Sequence, residues 1–159
     1  MSAPLDSDPR GLLLACPSCG QRNRVVFGRL SGTVRCGRCK SALDATSRPL
    51  EVGTAADFDR LVASSSIPVV VDYWAPWCAP CRMVAPELDK VAARAAGRYL
   101  IVKVNTDAIP ELGDRAAIRS IPTMAVFSGG REVARTTGAR PAAEIEAFIN
   151  AAPRGHSAP

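Results

Sequence analysis

Six cysteines fall into three pairs, each with two residues between its members: Cys16/Cys19, Cys36/Cys39 and Cys78/Cys81. The thiolate is the form of cysteine that attacks disulfides and binds soft cations, so such pairs serve redox exchange or metal ligation. The third pair, in Trp77-Cys78-Ala79-Pro80-Cys81, lies where a short apolar run meets a stretch of helical periodicity. A helix N-terminus presents unpaired N–H groups and a partial positive charge, and both favour an anion. Cys78, nearer the exposed end, is expected to be the attacking thiolate. Cys81, one turn inward, is placed to resolve a mixed disulfide, with Pro80 restraining the turn between them. Three readings compete. Half of a zinc site would need a second pair, and none is left if the other four cysteines form their own site. A cysteine hydrolase needs a histidine base, and the single histidine, His156, stands near the C-terminus. A structural disulfide is disfavoured in a reducing compartment.

Cys16-Pro17-Ser18-Cys19 and Cys36-Gly37-Arg38-Cys39 are separated by sixteen residues. That spacing fits two knuckles that place four thiolates around one zinc ion. Gly20 and Gly37 suit the tight turns this requires. So small a module has little core, and the metal would supply much of its folding energy. Two disulfides or a second redox pair are the alternatives. Arg22, Arg24, Arg29, Arg35, Arg38 and Lys40 raise the question of nucleic acid, but Phe27 is the one aromatic among them, so nucleic acid is not the expected partner.

The elements that must hold these groups are legible from residue 51 onward. Thr54-Ala55-Ala56-Asp57 reads as a helix start with an acid three residues after the cap, and Phe58, Leu61 and Val62 share one face of that helix. Pro68–Trp74 is an apolar run of the kind that forms a strand buried on both faces. Ala79 to Ala96 carries apolar residues at helical spacing (Val84, Leu88, Val91, Ala95), with Pro86 inside it. Leu100–Val104 is a second buried strand, and Pro110–Ala117 a short helix. Thr123–Phe127 and Glu132–Thr136 form a hairpin about Gly129-Gly130. Pro141–Ala151 is a helix with Pro in its first turn. This order gives an α/β fold with a mixed sheet flanked by helices on both faces. The expected division is a disordered N-terminus over 1–11, a zinc-ribbon-like module over 12–44, a linker over 45–50, a redox domain over 51–152 and a flexible tail over 153–159.

Composition agrees with a globular chain: 159 residues, 47% apolar and 22% charged. No apolar run approaches the ~20 residues that span a bilayer, so no membrane association is expected. The net charge of +5 is uneven. Residues 1–50 hold eight Lys or Arg against three Asp or Glu, whereas residues 51–159 hold twelve of each. Leu13-Leu14-Ala15-Cys16 mimics a lipoprotein cleavage box, but the preceding Asp6–Gly11 is acidic and breaker-rich and the apolar segment is four residues long. The expected location is therefore the cytoplasm.

Val71-Asp72-Tyr73-Trp74-Ala75-Pro76-Trp77-Cys78-Ala79-Pro80-Cys81 resembles the thioredoxin family, and the resemblance runs over residues 51–152. It implies the thioredoxin fold. It also implies that Asp72 is a buried carboxylate behind the cysteines and able to take the Cys81 proton, with Lys103 as the lysine beside it. Ile121-Pro122-Thr123 is similar to the family's cis-proline loop, whose backbone pairs with substrate. Gly138 matches a family glycine lining the same groove, and Trp77 an exposed tryptophan beside the nucleophile. Trp74 is also matched, as a residue of the core. The family's usual dipeptide between the cysteines is Gly-Pro; here Ala79 replaces the glycine, which leaves the redox potential open. The four-cysteine segment in front makes residues 12–152 similar to the bacterial thioredoxin 2 subfamily. That resemblance implies a cytosolic protein-disulfide reductase with bound Zn2+, recharged by thioredoxin reductase, with duties in oxidative stress and redox homeostasis.

Overall fold

The protein is described here over residues 2–154 of a computed structural model. His156 and the tail beyond residue 154, expected to be flexible, lie outside the described residues. In chain order the elements are β1 (Ala3–Pro4), β2 (Ser7–Asp8), β3 (Gly11–Ala15), β4 (Arg22–Val26), a 3-10 turn (Phe27–Arg29), β5 (Val34–Arg35), β6 (Ala42–Leu43) and β7 (Leu50–Glu51). Then come α1 (Ala55–Ser64), β8 (Val69–Trp74), α2 (Ala79–Ala93), β9 (Leu100–Asn105), α3 (Pro110–Arg115), β10 (Thr123–Ser128), β11 (Arg131–Thr137) and α4 (Ala142–Ala151).

A six-stranded mixed sheet in the order β1-β7-β9-β8-β10-β11 forms the centre. Strands β1, β7, β9 and β8 are mutually parallel, β10 runs antiparallel to β8, and β11 antiparallel to β10. The apolar runs are continuous because both faces are covered. Val69, Val71, Tyr73, Val102 and Val104 pack with Phe58 and Leu61 of α1 and Leu112 of α3. Val70, Ile101, Met124 and Val126 pack on the other face with Val84 and Leu88 of α2 and Ile145 and Ile149 of α4. The α1 cap is as the sequence suggests: Thr54 Oγ1 accepts from the Asp57 N–H at 3.1 Å and donates to the Asp57 carboxylate at 2.9 Å. The β10–β11 turn uses Gly129 and Gly130 at φ 64° and 83°, the left-handed pair that a tight hairpin needs.

The N-terminal segment differs from the expectation. Of the stretch 1–11 expected to be disordered, the described residues 2–11 are built into the fold: β1 extends the main sheet beside β7, β2 pairs with β3, and Leu5 is buried. Two-residue strands have no periodicity of their own, so nothing local announced them. β2, β3 and β4 form an antiparallel sheet, and β5 and β6 a short ribbon. Leu12, Val25, Phe27 and Leu30 from this part belong to the same apolar cluster as Leu50, Leu61 and Val102. Polar contacts close the junction. Ser66 donates to the Phe27 carbonyl through N–H and hydroxyl. The Gly97 N–H donates to Thr46 Oγ1 at 3.0 Å. Gly97 sits at φ +78°, and a Cβ there would meet the Ser31 carbonyl oxygen at 2.7 Å, so that approach requires glycine.

Candidate functional site

Strand β8 ends at Trp74, and α2 starts at Ala79, so the intervening turn presents Cys78 as the residue capping α2. The Cys78 Sγ accepts from the Cys81 N–H at 3.2 Å, one of the first-turn donors with no partner inside the helix. Cys78 and Cys81 are joined as a disulfide with their Cα atoms 5.2 Å apart. Both are nearly covered in this state, at 4% and 3% exposure. The exposed members of the motif are Trp77, Ala79 and Pro80, and Trp77 is 68% exposed.

The Ile121–Pro122 peptide is cis, and the Ile121 carbonyl oxygen lies 3.7 Å from Cys78 Sγ. Gly138, at φ 94°, donates its N–H to the Pro122 carbonyl at 2.8 Å, which ties the end of β11 to this loop. A groove of about 380 Å³ runs from Trp77 to Ile121 past Thr106, Pro110, Ile118 and Ser120. Its walls combine the apolar Trp77, Pro110, Ile118 and Ile121 with the charged Asp114 and Arg119.

On β8, the strand that leads into the Cys78 turn, Asp72 is fully buried, and neither of its oxygens meets a protein donor. Burial raises its carboxyl to about 7; the Lys103 charge works against that rise and the Glu51 charge adds to it. Lys103 is the register partner of Asp72 across β8–β9, and its ammonium lies 4.7 Å from the centroid of the Trp74 ring. Trp74 is more than core. It packs against Ala75, Cys78 and Cys81, and its indole N–H donates to Glu51 Oε1 at 2.9 Å. Glu51, which sequence reasoning missed, therefore belongs to this constellation. Its signal was present: an acid between Leu50 and Val52, both buried, much as Asp72 stands inside an apolar strand.

The other four cysteines also come together. Cys16 and Cys19 lie on the turn from β3 to β4, and Cys36 and Cys39 on the turn from β5 to β6. In each, the N–H four residues after the first cysteine, from Gly20 or Lys40, closes on that cysteine's carbonyl, at 2.9 and 3.0 Å. Gly20 and Lys40 take the left-handed conformation, at φ 78° and 66°. Gly37 lies within the second turn, where its N–H donates to Asn23 Oδ1, and Lys40 takes the left-handed position that Gly20 takes in the first. All four sulfurs lie within 4.8 Å of one another, with Cys16–Cys39 at 3.5 Å and Cys19–Cys36 at 3.6 Å. Four sulfurs ~2.3 Å from a tetrahedral zinc would be about 3.8 Å apart, so the set fits such an ion. Its thiols pull apart electrostatically. Cys36 falls to about 6, helped first by the Cys39 N–H. Cys19 rises to about 12; the Gln21 N–H acts to lower it, but burial and the neighbouring cysteines outweigh that. Without a cation, four thiolates at this spacing repel one another. Of the surrounding cations, Arg22 and Arg24 pair with Asp6 and Asp8, which reduces the basic surface left for a nucleic acid.

The family model for thioredoxin matches residues 49–151. The chain belongs to the thioredoxin family. It is 35% identical to thioredoxin C-3 of Corynebacterium nephridii over 87% of this chain and 94% of that one, a match long enough to reach into the residues before 49. It is 44% identical to the thioredoxin of Haemophilus influenzae over 60% of this chain and 89% of that one. Among solved structures, the thioredoxin of Malassezia sympodialis superposes with a TM-score of 0.59 at 28% identity, covering 71% of this chain and 93% of that one. An N21Q thioredoxin from Halobacterium salinarum gives 0.62 at 23% identity over 68% of this chain and 93% of that one, a likeness of fold. As a thioredoxin with the Cys-x-x-Cys pair at a helix start, the protein is a thiol–disulfide oxidoreductase acting on disulfide-containing substrates. No helix among the described residues is long and apolar enough to cross a membrane.

Proposed function

We propose that the protein is a cytoplasmic protein-disulfide reductase of the thioredoxin 2 type. The observation that carries this reading is the reactive pair at the start of α2, reached from the strand that carries a buried Asp72 with no hydrogen-bond donor. In the reduced state the Cys78 thiolate attacks one sulfur of a target disulfide. A Cys78–target bond forms, and the first target thiolate leaves and takes a proton from water. Asp72 then accepts the Cys81 proton, the Cys81 sulfur attacks Cys78 Sγ, and the second target thiolate leaves. Two electrons have passed to the target, and the Cys78–Cys81 disulfide remains. A carboxyl titrating near 7 suits both directions of that proton transfer at neutral pH. Lys103 holds the site's charge balance. The Ile121 carbonyl, Pro122 and Gly138 offer backbone to the substrate chain, and Trp77 and Pro80 form the exposed rim that meets it.

Cys16, Cys19, Cys36 and Cys39 would hold Zn2+, which would supply folding energy to the N-terminal part. We take the module as residues 12–44 and the redox domain as 51–152, joined by 45–50. Recharging by thioredoxin reductase and a role in oxidative stress and redox homeostasis complete the reading. Insulin-disulfide reduction in dithiothreitol tests it. Wild type should accelerate precipitation, and Cys78→Ser should fall to the dithiothreitol-only rate; a fully active Cys78→Ser would sink it.

A further inference from the structure

Three charged side chains lie in register across three adjacent parallel strands: Glu51 on β7, Lys103 on β9 and Asp72 on β8. Partners in parallel register project to the same face of the sheet, here the face that α2 covers. Two acids thus share one cation. The fourth member, Trp74, joins them to the chemistry, because its ring packs on the cysteine cluster, carries the Lys103 ammonium and is pinned through its indole N–H by Glu51.

We propose that Glu51 is a positioning residue of the redox centre: it holds Trp74 against the cysteine pair and shares the Lys103 charge with Asp72. This deepens the reductase reading and rests on it for the use made of the Asp72 proton. Glu51−, Lys103+ and neutral Asp72 sum to zero, whereas ionising Asp72 places a second negative charge in a dry site. The neighbours leave few other charges to set the balance. On β10 the partner of Asp72 is Met124, and on β1 the partner of Glu51 is Pro4. On α2 the nearby groups are the Cys78 and Cys81 thiols once reduced, while Arg82 is exposed and donates to the Pro76 carbonyl. Glu51 itself is raised chiefly by burial, with the Trp74 hydrogen bond and Lys103 opposing.

The test is a titration of the Asp72 carboxyl carbon by NMR in the reduced, full-length protein, the resonance being assigned by its loss in Asp72→Asn. Glu51→Gln keeps an acceptor for the indole but removes the charge. It should move the Asp72 titration to lower pH by roughly 0.5, the size expected of one charge two strands away, with the Trp74 indole N–H resonance unmoved. Glu51→Leu should give the same titration change and also displace that resonance. Glu51→Asp should return the titration close to wild type. An Asp72 titration unchanged in Glu51→Gln, or displaced as far in Glu51→Asp, would overturn the proposal. The readout is the carboxyl and not turnover, so it decides the role of Glu51 separately from the insulin assay that decides the reductase reading.

Discussion

Asp72 is the residue at which structure and chemistry conflict most sharply. A carboxyl that is 0% exposed and without a donor is costly as an anion. Its folded-state value of about 7 lies above the unfolded ~3.9. The folded protein therefore holds more protons than the unfolded chain between those values, and stability falls as pH rises through that window. Below pH ~4 both states are protonated and the cost vanishes. Asp72→Asn, which keeps the shape of the protonated acid, should match wild type in urea unfolding at pH 4. At pH 8 it should exceed wild type by up to about 4 kcal/mol, because each tenfold change in proton affinity is worth ~1.4 kcal/mol and the two states differ by about a thousandfold. Equal differences at the two pH values would show that ionisation is not the cause. Glu51 belongs at this scale too: it was readable as an oddly placed acid, but its partnership with Trp74 was not, because their separation of 23 residues is closed only by strand pairing.

Among the elements, β1 carries the clearest consequence. Its two residues pair with β7 at the sheet edge, and the following Leu5 is buried in the main cluster. An N-terminal strand tied into a sheet in this way is part of the fold and no appendage. Leu5→Ala should lower stability by about 2–4 kcal/mol, as large-to-small changes in a core do. A change below ~0.5 kcal/mol, the range of surface positions, would mean that the segment is not packed in solution. The longer elements, from α1 to α4, lie close to where periodicity, caps and turn residues put them. Each of those signals acts within a few residues, whereas β1 and β2 depend wholly on distant partners.

At the scale of the whole molecule, the cysteine module and the redox domain share one apolar cluster. Leu12, Val25, Phe27 and Leu30 pack together with residues of β7, α1 and β9. A module this small has little independent stability, so the zinc proposed for it and its docking should be lost together. Removing zinc with a chelator should lower the unfolding temperature of the whole chain in one transition, followed by calorimetry and by tryptophan fluorescence in parallel. An unchanged main transition, with only a small early one lost, would instead describe two independent units. The shared cluster also makes the state of Cys16, Cys19, Cys36 and Cys39 able to reach the redox domain through packing.

Taken alone, the sequence determined the chemistry and most of the scaffold. The Cys78/Cys81 pair at a strand–helix junction, the four-cysteine spacing, the Val-rich strands and the Gly129-Gly130 hairpin are all local patterns, and local patterns carry their own physical cause. Tertiary structure decided what depends on neighbours far along the chain. It buried Cys78 beside the Ile121 carbonyl, left Asp72 without a donor, put Glu51 and Trp74 in contact, set Lys40 in the left-handed position after the second knuckle, paired β2 with β3, and drew β1 and Leu5 into the main sheet and core. Burial and register are properties of the assembled sheet, and no single stretch of chain contains them.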